Sequence, residues 1–412
     1  MGEGTPWQQV KNKLRVIGPG AIIAASFIGP GTISTATEAG ASFGYSLVWA
    51  IVFAVITTMI LQEMASRLGV VTGGGLGEAI REQFQKPFLK YSIMSLIGFS
   101  IALGCAAYMA GDLTGGALGI SLLTGIPQNY IAPVIGGIIL TIGLLGTYKK
   151  LEKIFITLVV IMSITFITTM IVVQPDVTEV FAGAFVPSIP AGSIVVIVAL
   201  IGTTVVPYNL FLHASSAGER WKDPANLKQA RLDIILTIGV GGLITAAVII
   251  TAGTVIRGYD VTGAEELALA LEPTLGEWAA VFISIGLLAA GFSSAMAAPM
   301  GAAYTIGGLT GWARGFSDKK FKIIFSVIIS IGIVTSAVGF EPLELILFAQ
   351  ALNGLILPII AVFLLVVLNN KNKLGEYVNS LKLNIIGGLI VLITSGLGIY
   401  SLIEAVMGFI EG

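Results

Sequence analysis

Two stretches of the chain place chemistry-bearing residues where chemistry is costly. One is "SFIGPGTISTATEAG", Ser26 to Gly40, and the other is "TTVVPYNLFLHASSAG", Thr203 to Gly218. Each interrupts an apolar run long enough to cross a bilayer. Proline and glycine at mid-depth break the helical ladder and leave backbone N–H and C=O groups facing a gap. The half-helices that begin near Thr32 and Asn209 turn N–H groups and a positive dipole end into that gap, which favours an anion or carboxylate. The halves that stop near Ile28 and Val205 offer carbonyls, which favour a cation. Backbone alone accepts either sign, so side chains decide.

The side chains expected around the gap are neutral: Thr32, Thr35, Thr203, Thr204, Tyr208, Asn209, Ser293, Ser294, Gln350 and Asn353. Gly29 and Gly31 let a ligand approach the main chain closely. This reads as a hydrogen-bonding site without fixed charge. Three ionisable residues inside spans are candidates for coupling or gating by default. Glu38, six residues beyond Thr32, is either a proton acceptor or outer-gate residue, or simply solvated. Asp112 either relays a proton or pairs. His213, one turn after Asn209 on the same face, is either a proton relay or a neutral histidine bonded to a neighbouring carbonyl. Glu63 and Arg67 read as an i,i+4 pair, and Arg231 and Asp233 as interfacial charges. Cys105 and Met109 share a helix face, but two weak sulfur ligands point to packing rather than to a metal. "TGGGLGE", Thr72 to Glu78, follows no strand and lacks a Lys-Ser/Thr ending, so it reads as an inner loop, not a phosphate loop.

The elements that must position these residues are membrane spans. The 412 residues are 55% hydrophobic and 11% charged, with 52 glycines and a mean hydropathy of +0.95, values outside the soluble range. A net charge of −1 gives no reason to expect nucleic acid, and one cysteine and one histidine exclude a disulfide framework or a multi-His, multi-Cys metal cage. The first 16 residues, expected to be a cytoplasmic segment, lack a signal peptide's apolar core. Apolar runs of about 20 residues predict an all-α polytopic protein with eleven spans, near 17–40, 45–66, 91–120, 129–147, 153–174, 193–218, 231–256, 278–309, 322–340, 343–368 and 384–408. With the N-terminus cytoplasmic, Lys11, Lys13, Arg15, Lys149, Lys150 and Lys153 fall inside, and of 22 Lys and Arg only Arg257 falls outside. The odd count puts the two ends on opposite faces, so the C-terminus is expected outside, and the expected location is the cell (plasma) membrane.

Spans one and six match each other. Pro30 pairs with Pro207, Thr32 with Asn209, and each broken segment closes on Ala-Gly. Two matching breaks five spans apart predict an inverted repeat, 17–174 against 193–368, with 384–408 as an extra helix.

With those residues in view, the chain resembles the NRAMP family of divalent-metal transporters, which have a LeuT-type fold. "GPGAIIAASFIGPGTISTATEAGASFGY" is similar to that family's first-span pattern built around DPGN and ending in GGAQFGY. "VVPYNLFLHASS" resembles MPHNLYLHSS, "GLLAAGFSS" resembles GLLAAGQSS, and "YKKLEKI" and "FAQALNGLILP" resemble its fifth- and tenth-span segments. The resemblance implies metal ligands at three positions that here read Gly29, Thr32 and Val206, where the family has Asp, Asn and Met. Its first sixth-span histidine is Tyr208 here and its second is His213. The third-span Glu corresponds to Asp112 and the preceding Asp to Met109, and the ninth span lacks the family's arginines. Loss of the anionic and thioether ligands leaves a dehydrated dication without a charge partner. The expectation is therefore a secondary, alternating-access transporter of a small carboxylate-bearing solute, such as an amino acid, hydroxy acid or 5-oxoproline, coupled to H⁺ or Na⁺. The alternative is a divalent-cation transporter of altered selectivity for Mg²⁺ or Mn²⁺. No HExxH and no nucleophile–base pair point to an enzyme, and no cofactor is expected.

Overall fold

The computed structural model describes residues 18–145, 157, 160, 164, 166–261, 263–312 and 315–411. The first 16 residues, the turn at Lys149–Lys153 and much of the expected fifth span lie outside the described residues. Fourteen helices organise the described part: α1 (Pro19–Phe27), α2 (Pro30–Phe43), α3 (Val48–Thr72), α4 (Leu76–Gln83), α5 (Pro87–Thr124), α6 (Gln128–Leu145), α7 (Val177–Phe185), α8 (Ile194–Thr204), α9 (Pro207–Arg220), α10 (Leu227–Val255), α11 (Ala279–Thr310), α12 (Lys319–Ala337), α13 (Pro342–Leu368) and α14 (Leu381–Glu411). Shorter turns of helix join some of them.

Among the described residues, nine helical segments are long and apolar enough to span a membrane. The expected first span is not one of these, because α1 and α2 are separate pieces of 9 and 14 residues. Burial sorts the spans into centre and rim. Ile194–Arg220, which contains α8 and α9, has 94% of its most apolar window buried, whereas Leu381–Tyr400 in α14 has 22%. Phe99, Val134, Val334 and Leu392 stay exposed on the rim helices. An apolar exterior around a tightly packed, partly polar centre is the inverse of a soluble fold and suits hydrocarbon surroundings.

Small residues let the central helices approach. On α5, a Cβ added to Gly115 would collide with Pro30, and one added to Gly116 would lie 3.3 Å from the Cα of Gly291 on α11. On α8, a Cβ at Gly202 would collide with the backbone carbonyl of Gln350 on α13. These close crossings are the small-residue packing expected where lipid supplies no hydrophobic drive between helices.

Candidate functional site

Both breaks form as proline chemistry dictates. α1 stops at Phe27, Ile28 bends at φ −84°, ψ 65°, Gly29 is extended at φ −98°, ψ 178°, and Pro30 opens α2. α8 stops at Thr204, Val205 bends at φ −96°, ψ 67°, Val206 is extended at φ −77°, ψ 121°, and Pro207 opens α9. Each break is thus one bent and one extended residue before a proline at the first helical position, where its missing N–H costs nothing.

Side chains tie the two breaks together. Thr203 Oγ1 lies 2.6 Å from Thr32 Oγ1, and Thr32 donates to the Phe27 carbonyl. Ser26 donates to Asn209 Oδ1 at 2.8 Å and sits 3.0 Å from the Tyr208 hydroxyl. In the register that pairs Pro30 with Pro207, Ser26 corresponds to Thr203 and Thr32 to Asn209. The contacts Thr32–Thr203 and Ser26–Asn209 therefore exchange with each other under that pairing, the signature of a two-fold-related interface. On α11, Ser293 donates to the Ala25 carbonyl at 3.1 Å and Ser294 to the Ser26 carbonyl at 2.8 Å, so the exposed end of α1 is capped by hydroxyls.

The coupling candidate Asp112 stands at the first break, where neutral groups alone were expected. Asp112, 2% exposed, projects from α5 so that its Oδ1 lies 3.0 Å from where a Cβ on Gly29 would be, beside Ser294 Oγ at 2.9 Å. Its Oδ2 is buried without a hydrogen-bond partner. On the other side of Pro30, the Gln350 amide nitrogen fills the place of a Cβ on Gly31, and Gln350 Oε1 is also unpartnered. Thr35 Oγ1, Asn209 Nδ2 and Asn353 Nδ2 share that state. Buried polar atoms left unmade cost about 1–3 kcal/mol each, and those of Asp112, Gln350 and Asn209 lie beside the breaks, where a ligand would satisfy them.

The remaining candidates separate. Val206, 1% exposed, contributes only an aliphatic side chain at the second break. His213 is buried, with Nδ1 2.9 Å from Gln62 Oε1 and Nε2 unpartnered. Glu38 is partly exposed and accepts from Ser42 at 2.8 Å, one turn further along α2, away from the breaks. Glu63 pairs with Arg67 at 3.4 Å, as expected, and also with Arg231 at 2.9 Å. Cys105 and Met109 are packed core, and in "TGGGLGE" Glu78 accepts from the Gly75 N–H, capping α4. Asp233 corrects its reading as an interfacial charge. It is 0% exposed and accepts from the N–H groups of Gly18 at 2.9 Å and Gly20 at 2.7 Å, an anionic cap on α1 that the helix dipole favours.

Sequence reasoning passed over Ser26, Tyr108 and Gln62. Tyr108, one turn before Asp112, reaches the second break, 3.3 Å from the Thr203 carbonyl. The signal for Ser26 was available, because the pairing of Pro30 with Pro207 places it opposite Thr203.

Beyond the site, a cavity of about 750 Å³ opens at the far end of α9, lined by Glu78, Arg81, Ser215, Glu219 and Lys373 among others. Between its lining at Ser215 and the break at Val206, residues 207–214 are all buried. Among the described residues, that buried stretch separates the breaks from the cavity beyond α9.

Residues 20–404 match the family model described as natural resistance-associated macrophage protein-like, Nramp. The chain belongs to the Nramp family. This Nramp protein is 30% identical over 407 residues to the divalent metal cation transporter MntH of Yersinia pestis (strain Pestoides F), covering 96% of each chain. It is 27% identical over 406 residues to MntH of Caldanaerobacter subterraneus subsp. tengcongensis, covering 95% of this chain and 94% of that one. Its fold is similar to that of the Eremococcus coleocola manganese transporter, at a TM-score of 0.82 and 21% identity over 100% of this chain and 90% of that one. It is also similar to Mhp1, a nucleobase-cation-symport-1 family transporter, at a TM-score of 0.59 and 16% identity over 93% and 90%. The protein is a multi-pass membrane protein with the LeuT-type inverted repeat and two broken helices.

Proposed function

We propose that this Nramp protein carries a divalent cation, Mg²⁺ or Mn²⁺, through the junction of its two breaks by alternating access, coupled to H⁺ or Na⁺. The observation that carries this reading is the donor set. A buried carboxyl group, Asp112, and the hydroxyls of Thr32 and Thr203 gather at the breaks, while Val206 brings no sulfur. Carboxylate and neutral oxygen ligands suit hard cations such as Mg²⁺ and Mn²⁺, whereas thioether and imidazole favour softer metals. The names of the curated relatives, divalent metal cation transporters, support the same reading.

The expectation of a carboxylate-bearing solute rested on a gap without fixed charge. Asp112 answers that premise, because its carboxyl beside Gly29, ionised when a cation binds, repels an anionic ligand in a low-dielectric site. Placing the protein in the cell membrane with its N-terminus cytoplasmic makes the cavity beyond α9 the inner vestibule. His213, one turn from Asn209, remains the candidate for coupling, and Glu38 for an outer gate.

Uptake into proteoliposomes tests the reading. Mg²⁺ and Mn²⁺ are each offered beside a panel of amino acids, hydroxy acids and 5-oxoproline, under H⁺ and Na⁺ gradients. Saturable cation uptake is expected. Uptake of a carboxylate solute with none of either cation overturns it.

A further inference from the structure

Gly29 stands where the family pattern has an aspartate, and the space its missing side chain would fill is not empty. Asp112 Oδ1 reaches to 3.0 Å of the Gly29 Cβ position. We infer that Asp112 is the anionic ligand of the transported cation, supplied by the third span in place of the first, so that glycine at 29 and aspartate at 112 act as a matched pair. The inference rests on the cation reading above and names the residue that neutralises the ion.

Three features carry it. The approach of α5 is built in, since Gly115 lets the helix press against Pro30 and Gly116 against Gly291. Residues 112, 115 and 116 lie on one helix face, so the same packing that seats Gly115 on the proline delivers Asp112 to the break. Asp112 is also buried and half-used. Its Oδ2 is without a partner, a state that costs free energy in the absence of a ligand. Finally, position 29 has no room for a second side chain, because a Cβ there would meet Ser294 at 2.9 Å as well as Asp112. With Asp112 shortened, a side chain at 29 needs only the Ser294 hydroxyl to turn aside, whereas carboxylates at both positions would crowd and repel.

The pair makes the inference testable by exchange. In calorimetry on purified protein at fixed pH without a gradient, Asp112→Asn, close in shape to the native side chain, is expected to weaken Mg²⁺ and Mn²⁺ binding by about tenfold or more, since it removes the charge partner of a buried dication. Asp112→Ala is expected to do the same, and Gly29→Asp combined with Asp112→Ala to restore binding above that of Asp112→Ala alone. Proteoliposome uptake should follow the same order. Monodisperse elution and thermal unfolding check that each variant folds, and rescue by the exchange variant cannot come from a misfolded protein. Unchanged cation binding in Asp112→Asn overturns the inference and leaves the proposed function standing, even where uptake falls, because a proton-relay role alone gives that pattern. Wild-type protein that neither binds nor takes up either cation overturns the proposed function instead.

Discussion

The two breaks share a backbone and differ in what surrounds it. At the first, the carbonyls of Ala25 and Ser26 accept from Ser293 and Ser294 at 3.1 and 2.8 Å, and that of Phe27 accepts from Thr32. At the second, the carbonyls of Thr203 and Thr204 accept from Tyr108 and Thr58 at 3.3 Å each. The first is closely capped, flanked by glycines and approached by a carboxylate. The second is loosely capped and flanked by valines. A repeat that supplies symmetric backbone has been furnished with asymmetric side chains, and α5 bridges the difference, with Tyr108 on one break and Asp112 one turn later on the other.

The largest disruption should come from closing the distance between helices. Gly202→Val at the second break drives a side chain into the backbone of α13, whereas Gly115→Val at the first meets the ring of Pro30. Both overpack and cost at least about 1–3 kcal/mol. The Gly202 variant should lose more, as a lower midpoint of thermal unfolding in detergent, because backbone cannot step aside. Equal midpoints would mean that the two breaks are packed alike.

Removing the reciprocal hydrogen bonds tests the symmetry itself. Ser26→Ala leaves Asn209 Oδ1 without its donor, and Thr32→Val removes a hydroxyl shared by Thr203 and Phe27. Each is expected to destabilise by about 1–3 kcal/mol, and the two should be non-additive if the contacts form one unit. A double-mutant cycle on unfolding midpoints measures this, and strict additivity would separate the breaks into independent sites.

Chemistry at the second break can be sharpened without disturbing the first. Val206→Met restores a thioether where only aliphatic atoms now stand. Since thioethers favour softer metals, uptake of Mn²⁺ relative to Mg²⁺ is expected to rise several-fold, read from competition between the two ions in proteoliposomes. No change in that ratio would place the cation away from Val206.

The smallest effect lies beyond α9, in the cavity rather than at the breaks. Glu82 on α4 is held below its ordinary value of 4.5, chiefly by its hydrogen bond from Lys373 at 2.9 Å. A lowered carboxylate value stabilises the fold above 4.5, and the stabilisation is lost as pH falls through the folded-state value. Glu82→Gln should therefore lower the unfolding midpoint slightly near pH 7, with the difference vanishing in acid. Glu82 lines the cavity beyond α9, so stability is the readout, and an unchanged midpoint at pH 7 would show that the Lys373 contact contributes nothing measurable.

Much of the fold was legible because its signals are local. Apolar runs and a one-sided Lys and Arg distribution reveal the spans, and Pro30 and Pro207 mark the breaks. Thr32, Thr203, Tyr208, Asn209 and Gln350 do meet there. Asp233 was misread because its sequence neighbourhood looks like a span end, whereas its partners, Gly18 and Gly20, lie in a distant helix. Ser26 was overlooked because serine in a helix is common, and only the repeat register singles it out.

Sequence alone thus determined where the backbone must break and which groups the breaks leave unpaired, because proline geometry and helical hydrogen bonding act over a few residues. Only the tertiary structure brought a carboxyl group to the first break. Whether Asp112 faces lipid, water or the break depends on how closely α5 settles against Pro30 and Gly291. That approach is fixed by the missing side chains of glycines on separate helices, a steric fit that no local pattern contains.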